Sequence, residues 1–143
     1  MDIRSLMNIS GAALTAERTR ADTITANLAN ARATRTPDGG PYRRQVPVFE
    51  AVTASEDPFG DILADKFSKP VVSEIVEDDR PGTFVHDPGH PDADPDTGMV
   101  ELPNVSVLEE MVDLMSSTRS YEANVTAISA TKSMALKALE IGR

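Results

Sequence analysis

All ten prolines of this 143-residue chain fall between Pro37 and Pro103, together with six of its eight glycines. A proline inside a helix removes one backbone hydrogen bond and clashes with the preceding turn, at a cost of about 3 kcal/mol. The chain is therefore divided into two helix-compatible ends, 1–36 and 104–143, and a middle, 37–103, that excludes a long helix. Charge follows the same division. The N-terminal part carries five basic against three acidic residues, the middle five against fifteen, and the C-terminal part four against five. The net charge of −9 thus originates in the middle. A solvated, self-repelling surface of this kind argues against sequence-independent nucleic-acid binding.

The C-terminal part has a seven-residue period. Val107, Met111, Leu114, Thr118, Tyr121, Val125, Ile128, Lys132, Ala135 and Leu139 step by alternating fours and threes, and eight of these ten are apolar or aromatic. That is the a/d spacing of a coiled coil. A helix from Ser106 to Ile141 would be about 54 Å long at 1.5 Å per residue. Ser106 and Glu109 fit a capping box at its start, and Gly142 a left-handed cap at its end. Aromatic residues make up 4% of the chain and tryptophan is absent, so little is available to cover such a seam. The seam predicts a partner. The alternative is an intramolecular helical hairpin with residues 1–31.

The N-terminal part predicts a helix over most of 4–31. Met7, Leu14, Ala21 and Leu28 recur every seven residues, and Ile3, Ser10, Glu17, Ile24 and Ala31 form a companion row. The small residues Gly11, Ala12, Ala13, Ala16 and Ala21 permit close approach of another helix. In the middle, Tyr42–Phe49 reads as a strand that Pro47 confines to an edge. Val71–Val76 reads as a second strand, with Thr83–Val85 returning as its hairpin partner after a turn at Asp78–Gly82. Ser55–Asp65 carries no clear pattern, and His86–Gly98 reads as a loop. The fold class expected is mainly α with a small β portion: long N- and C-terminal helices forming a coiled-coil-like layer, with a Pro-rich middle of short strands and loops.

The candidate chemistry is sparse. His86, Asp87, His90, Asp92, Asp94 and Asp96 have the donor types for a divalent metal. Counted from Asp92, however, the glycine and glutamate places of a calcium loop hold Thr97 and Pro103, and an acidic surface loop is the expected reading. Cysteine is absent, which excludes thiolate chemistry and a disulfide framework. No phosphate-cradling glycine loop, GxSxG or HExxH motif occurs. Arg43 and Arg44 read as a solvent-facing basic pair. Met1–Leu14 lacks a basic region followed by a continuous apolar run, so no cleavable signal is expected. No stretch approaches the roughly 20 apolar residues of a bilayer span. No cofactor is expected and no enzymatic role.

Several segments carry a resemblance. Ile24-Thr25-Ala26-Asn27-Leu28-Ala29-Asn30-Ala31, Gly40–Arg44, the His86–Asp94 loop and the Arg119–Val125 stretch continuing through Lys132–Arg143 resemble the axial protein family of the bacterial flagellum, most closely its C-type proximal rod proteins. Ala26 stands where many members of the wider family have a second asparagine. The resemblance implies a structural subunit that stacks helically with other flagellar rod subunits and copies of itself into the periplasmic rod. It also implies terminal helices layered around an export channel, delivery by the flagellar type III export apparatus without signal cleavage, and basal-body rings as neighbours. Nucleic acid and a direct membrane span are not implied. The subunit-interface residues expected are Met7, Leu14, Ala21, Ile24 and Leu28 from the first helix, and Val107, Met111, Leu114, Tyr121, Val125, Ile128, Ala135 and Leu139 from the second. Asn27, Asn30 and Asn124 are expected to fix helix register by interhelical hydrogen bonds. The competing expectations are a self-contained helical adaptor or export chaperone and, last, a metal-dependent enzyme.

Overall fold

A computed structural model of the chain describes residues 3–37, 39–53 and 68–141. Helix α1 runs Ile3–Ala29, strand β1 Gln45–Thr53, β2 Ser68–Glu77, β3 Thr83–His86 and β4 Met99–Leu102, and helix α2 runs Val107–Ile141. The two terminal helices and the short-stranded middle agree with the expected class. Gly142, the expected cap, lies outside the described residues, as does all of Ser55–Asp65.

The helices are about 40 and 52 Å long at 1.5 Å per residue. At the start of α2, the Glu109 amide donates to Ser106 Oγ at 3.4 Å, which is the serine half of the capping box. Threonines are tolerated within the helices because their hydroxyls bond back one turn. Thr15, Thr19 and Thr23 each donate to the carbonyl four residues earlier.

The strands form two separate two-stranded antiparallel sheets, β1 with β2 and β3 with β4. This corrects the expected pairing of Thr83–Val85 with Val71–Val76. The turn at Asp78–Gly82 connects two hairpins rather than closing one. β1 aligns Gln45 with Glu77 and Thr53 with Ser68, and the register slips after Val48. Ser73 is the extra residue, and its hydroxyl returns to the Val48 carbonyl at 3.3 Å. Pro47 sits on a strand with one neighbour, so its missing amide costs the sheet nothing. Two glycines shape the second sheet. A Cβ on Gly82 would collide with the Leu102 carbonyl oxygen, and Gly98 has φ +65° with His86 packed over it.

Helix α1 is the central layer, in contact with α2 on one face and with β1 and β2 on another. Paired side chains run antiparallel: Glu17 meets Ser117, Arg20 meets Asp113 and Asn27 meets Glu110. Among the described residues the fully buried set is mostly polar. Ala16, Ile24, Val100 and Pro103 are the apolar members, against Thr23, Asn27, Glu110, Ser117 and Thr131.

Candidate functional site

The helix pair is closed by a polar clasp. Asn27, 1% exposed, uses every hydrogen-bonding position of its amide. Its Nδ2 donates to the Gln45 carbonyl at 2.9 Å and to Glu110 Oε2 at 3.1 Å. Its Oδ1 accepts from the Gln45 amide at 2.9 Å and from the Tyr42 hydroxyl at 3.0 Å. Toward Gln45 the side chain therefore acts as a backbone peptide would, and seeds β1 on α1.

Glu110, at 0% exposure, is held on its other oxygen by Arg44 Nε at 2.5 Å. The same guanidinium lies 3.4 Å from Asp113 and 3.9 Å from Asp78, so one cation joins three carboxylates from two parts of the chain. A buried carboxylate persists only when paired and hydrogen-bonded, and Glu110 is both. Arg20 reaches Asp113 at 3.4 Å from α1. Asn104 completes the junction. Its Oδ1 accepts from the Arg44 amide at 2.7 Å, and its Nδ2 donates to the Asp78 and Arg80 carbonyls at 2.8 and 3.0 Å.

The clasp shifts two titrations. Burial, with the Glu110 and Glu77 carboxylates nearby, pushes the Tyr42 phenol up from its ordinary value. Hydrogen bonds from the Arg80 side chain and amide hold the Asp78 carboxyl below the usual range. Arg44 is thus not a solvent-facing residue, contrary to the sequence reading, because α2 brings it a buried partner from 66 residues away.

Below the clasp the helices meet along small and polar side chains. Glu110, Ser117, Asn124 and Thr131 recur every seven residues, and three of these four are buried, with Asn124 partly so. Ser117 Oγ lies 2.9 Å from Glu17 Oε2 and 3.0 Å from the Glu17 carbonyl. From α1, Glu17, Arg20 and Asn27 bond to α2, and Ala21 lines a pocket with Ser117, Thr118 and Tyr121. Met7 lies instead in a groove with β2. Leu14, Ala21 and Leu28 are partly covered.

This arrangement divides the expected seam of α2. Leu114, Ile128 and Ala135 are half-buried at the edge of the helix pair, and Tyr121 there is more open. The companion row turns outward, with Met111, Val125 and Leu139 at 54, 41 and 71% exposure and Val107 at 49%. Leu108, Val112 and Met115 widen the outer face. Of the three asparagines expected to bridge helices, Asn27 does so within the chain. Asn30 and Asn124 donate to the Ala26 and Ser120 carbonyls of their own helices. Arg44, Glu110, Asp113, Asn104 and Ser117 escaped the sequence reading. The available signal was the polar heptad row 110, 117, 124 and 131 beside the apolar one.

The proline loop is tied down rather than open. Asp92 accepts from the Thr34 hydroxyl at 2.8 Å and pairs with Arg35 at 3.7 Å, while His90 Nδ1 accepts from the Asp92 amide at 3.1 Å. Among the described residues no three His, Asp or Glu side chains converge as a metal site would require. No helix among them is long and apolar enough to cross a membrane.

Two paired terminal helices carry apolar side chains turned outward and are joined to a small β body, an arrangement suited to a subunit of a larger assembly. The family model "Flagellar basal body rod FlgEFG protein C-terminal" matches residues 96–141, which include β4 and all of α2. Relatives match along the whole length. The FlgC basal-body rod protein of Bacillus subtilis is 47% identical, covering 96% of each chain. That of Borreliella burgdorferi is 42% identical over 99% of this chain and 98% of its own. The Escherichia coli O6:H1 protein is 39% identical over all of both. The chain belongs to the FlgC family of flagellar basal-body rod proteins, structural subunits of the rod.

Proposed function

We propose that the chain polymerises helically with other rod subunits and with copies of itself into the periplasm-spanning shaft, without catalytic activity. In this reading residues 1–36 and 104–143 form the inner helical layer around the export channel, and 37–103 the outer part toward the basal-body rings. The flagellar type III export apparatus delivers the chain without signal cleavage. The interface residues are those of the two heptad seams, together with Asn27, Asn30 and Asn124.

The observation that carries the reading is the outward row of α2. A helix pair complete in itself would bury its largest apolar side chains, whereas here the inner row is Glu, Ser and Thr and the outer row is Met, Val and Leu. Fully burying one such apolar side chain against a neighbour contributes about 1.5–3 kcal/mol, so a few per subunit suffice to hold a polymer. The intramolecular pairing of α1 and α2 is what a self-contained helical adaptor would also have. The two readings part at the outer row. Val125→Asp with Leu139→Asp, both on exposed positions, should leave the monomer folded and abolish its recovery in purified basal bodies. Normal rods containing the double variant would overturn the proposal.

A further inference from the structure

We infer that residues 83–102, strands β3 and β4 with the loop between them, form an arm that swings as a unit on the rest of the chain, and that Asp92 is the latch that holds it. Little packing fixes the arm. Its sheet makes at most slight contact with either helix or with the first sheet. Within 83–102, Val100 alone is buried. Few buried apolar contacts mark the parts of a fold that move. Internally the arm is well tied. The Asp87 and Asp94 amides donate to the Gly98 and Met99 carbonyls at 2.9 and 3.0 Å, and the Asp94 carboxylate accepts from the Asp96 amide and the Thr97 hydroxyl at 3.0 and 2.9 Å. Among the described residues, two carboxylates make its side-chain bonds to the body. Asp92 accepts from the Thr34 hydroxyl at 2.8 Å and pairs with Arg35 at 3.7 Å, and Glu101 accepts from Arg43 at 3.4 Å. Arg35 is open to solvent, and Arg43 and Glu101 are partly so. Ion pairs this open contribute little, which leaves the short Thr34–Asp92 bond as the main restraint.

The arm joins the body through two crossings of the backbone, Pro81–Gly82 and Leu102–Pro103. These crossings lie against each other, since a Cβ on Gly82 would meet the Leu102 carbonyl oxygen, and together they form one axis. Asn104 fixes the body side of that axis. It holds the Asp78 and Arg80 carbonyls and the Arg44 amide, and Pro103 beside it is buried. On the arm side Gly82, with no side chain, takes up backbone rotation. There is also room for the movement. A cleft of about 520 Å³ is lined by Glu101 of the arm and by Asn30, Tyr42, Gln45 and Glu77 of the body. A second, of about 250 Å³, is lined by Thr83 of the arm and by Val105, Ser106 and Glu109 at the start of α2. The motion is a property of the single chain and does not depend on the rod reading. In an assembly it would turn Phe84, 59% exposed and cross-strand from Glu101, toward different neighbours.

The chain has no native cysteine, so spin labels attach only where one is introduced. Thr25→Cys on α1 with Asp96→Cys on the arm, both exposed, reports the swing by double electron–electron resonance. Thr25→Cys with Glu122→Cys on α2 is the reference pair. Both pairs are measured in the dilute full chain and in the same chain carrying Asp92→Ala with Arg43→Met, which cuts the latch and the bridge to Glu101. The arm–body distance distribution should at least double in width in that variant, while the reference pair keeps its own. Amide exchange at Val85 and Val100 should stay unchanged, because the hairpin moves intact. Returning Asp92 alone should recover most of the narrow width. An arm–body width that does not change would mean that packing holds the arm, and would overturn the inference. Faster exchange at Val85 and Val100 would mean that the arm unfolds instead of swinging, and a reference pair that broadens equally would place the looseness between the helices. Either result would overturn it, as would recovery by returning Arg43 but not Asp92.

Discussion

Replacing Arg44 with methionine isolates the energetics of the clasp. The substitution keeps most of the stem's volume and removes the cation that, among the described residues, is bonded to a carboxylate at 0% exposure. Breaking a buried pair from one side costs about 3–5 kcal/mol, because the remaining charge stays buried without its partner. The longer contacts to Asp113 and Asp78 add little, since ion pairs open to solvent contribute about 0–1 kcal/mol. A domain of ordinary stability has about 5–15 kcal/mol in total, so Arg44→Met should remove a large share of it. With a urea slope of about 2 kcal/mol per molar, the midpoint of the purified monomer should fall by roughly 2 M, followed by circular dichroism. Adding Glu110→Leu should recover at least half of the loss, because the stranded carboxylate is removed while Asn27 keeps its bond to Gln45. A loss below about 1 kcal/mol for Arg44→Met, or no recovery in the double variant, would refute the view that Glu110 depends on this cation.

Asn27→Ala strands the Gln45 amide, the Tyr42 hydroxyl and one oxygen of Glu110, each worth about 1–3 kcal/mol when left unsatisfied, and should destabilise the monomer more than any substitution on the outer face of α2. Gly82→Ala should separate β3 from β4 by collision with the Leu102 carbonyl, read as faster amide exchange at Val85 and Val100 with little change at α1. The lowered pKa of Asp78 contributes stability above the unfolded value near 4, which is lost as pH falls through the folded value, so Asp78→Asn should flatten the acid limb of a stability–pH curve below about pH 4. The raised pKa of Tyr42 works at the other end: its contribution is full below about pH 10 and declines as pH rises toward the folded value, and Tyr42→Phe should remove that alkaline decline.

The sequence reading located the two helices within two residues at each described end because proline exclusion and heptad spacing are local properties. It also placed three of the four strand segments, because β-branched runs between prolines and glycines are local too; Met99–Leu102 was not among them. Strand pairing was different. Which hairpin Thr83–Val85 joins depends on the loop 87–98, where the Asp87 and Asp94 amides bond back to Gly98 and Met99 and bring β4 alongside β3. The clasp was half visible. Asn27 stood out as an amide in an apolar helix, but its partners Arg44 and Glu110 looked like surface charges until the fold made one the counterion of the other. The same blindness affected the seam. Two heptad rows one residue apart, 110/117/124/131 and 111/118/125/132, differ by about 100° around the helix. Hydrophobicity selected the second row, while the chain packs the first inward. Small polar side chains let the helices approach and satisfy one another, and the apolar row remains for other contacts.

Amide hydrogen exchange, compared segment by segment between the dilute monomer and the assembled rod, tests the central claim most directly. The claim is that α1 and α2 are locked together at the clasp but have an outer face completed only by neighbouring subunits. In the monomer, protection should be strongest at 24–28, 45–48 and 107–117 and should fade along 131–141, where the helix has few buried contacts. In the rod, protection should rise along the whole of α2. Strong, even protection of both helices in the monomer, unchanged on assembly, would contradict the account and favour a self-contained helical protein.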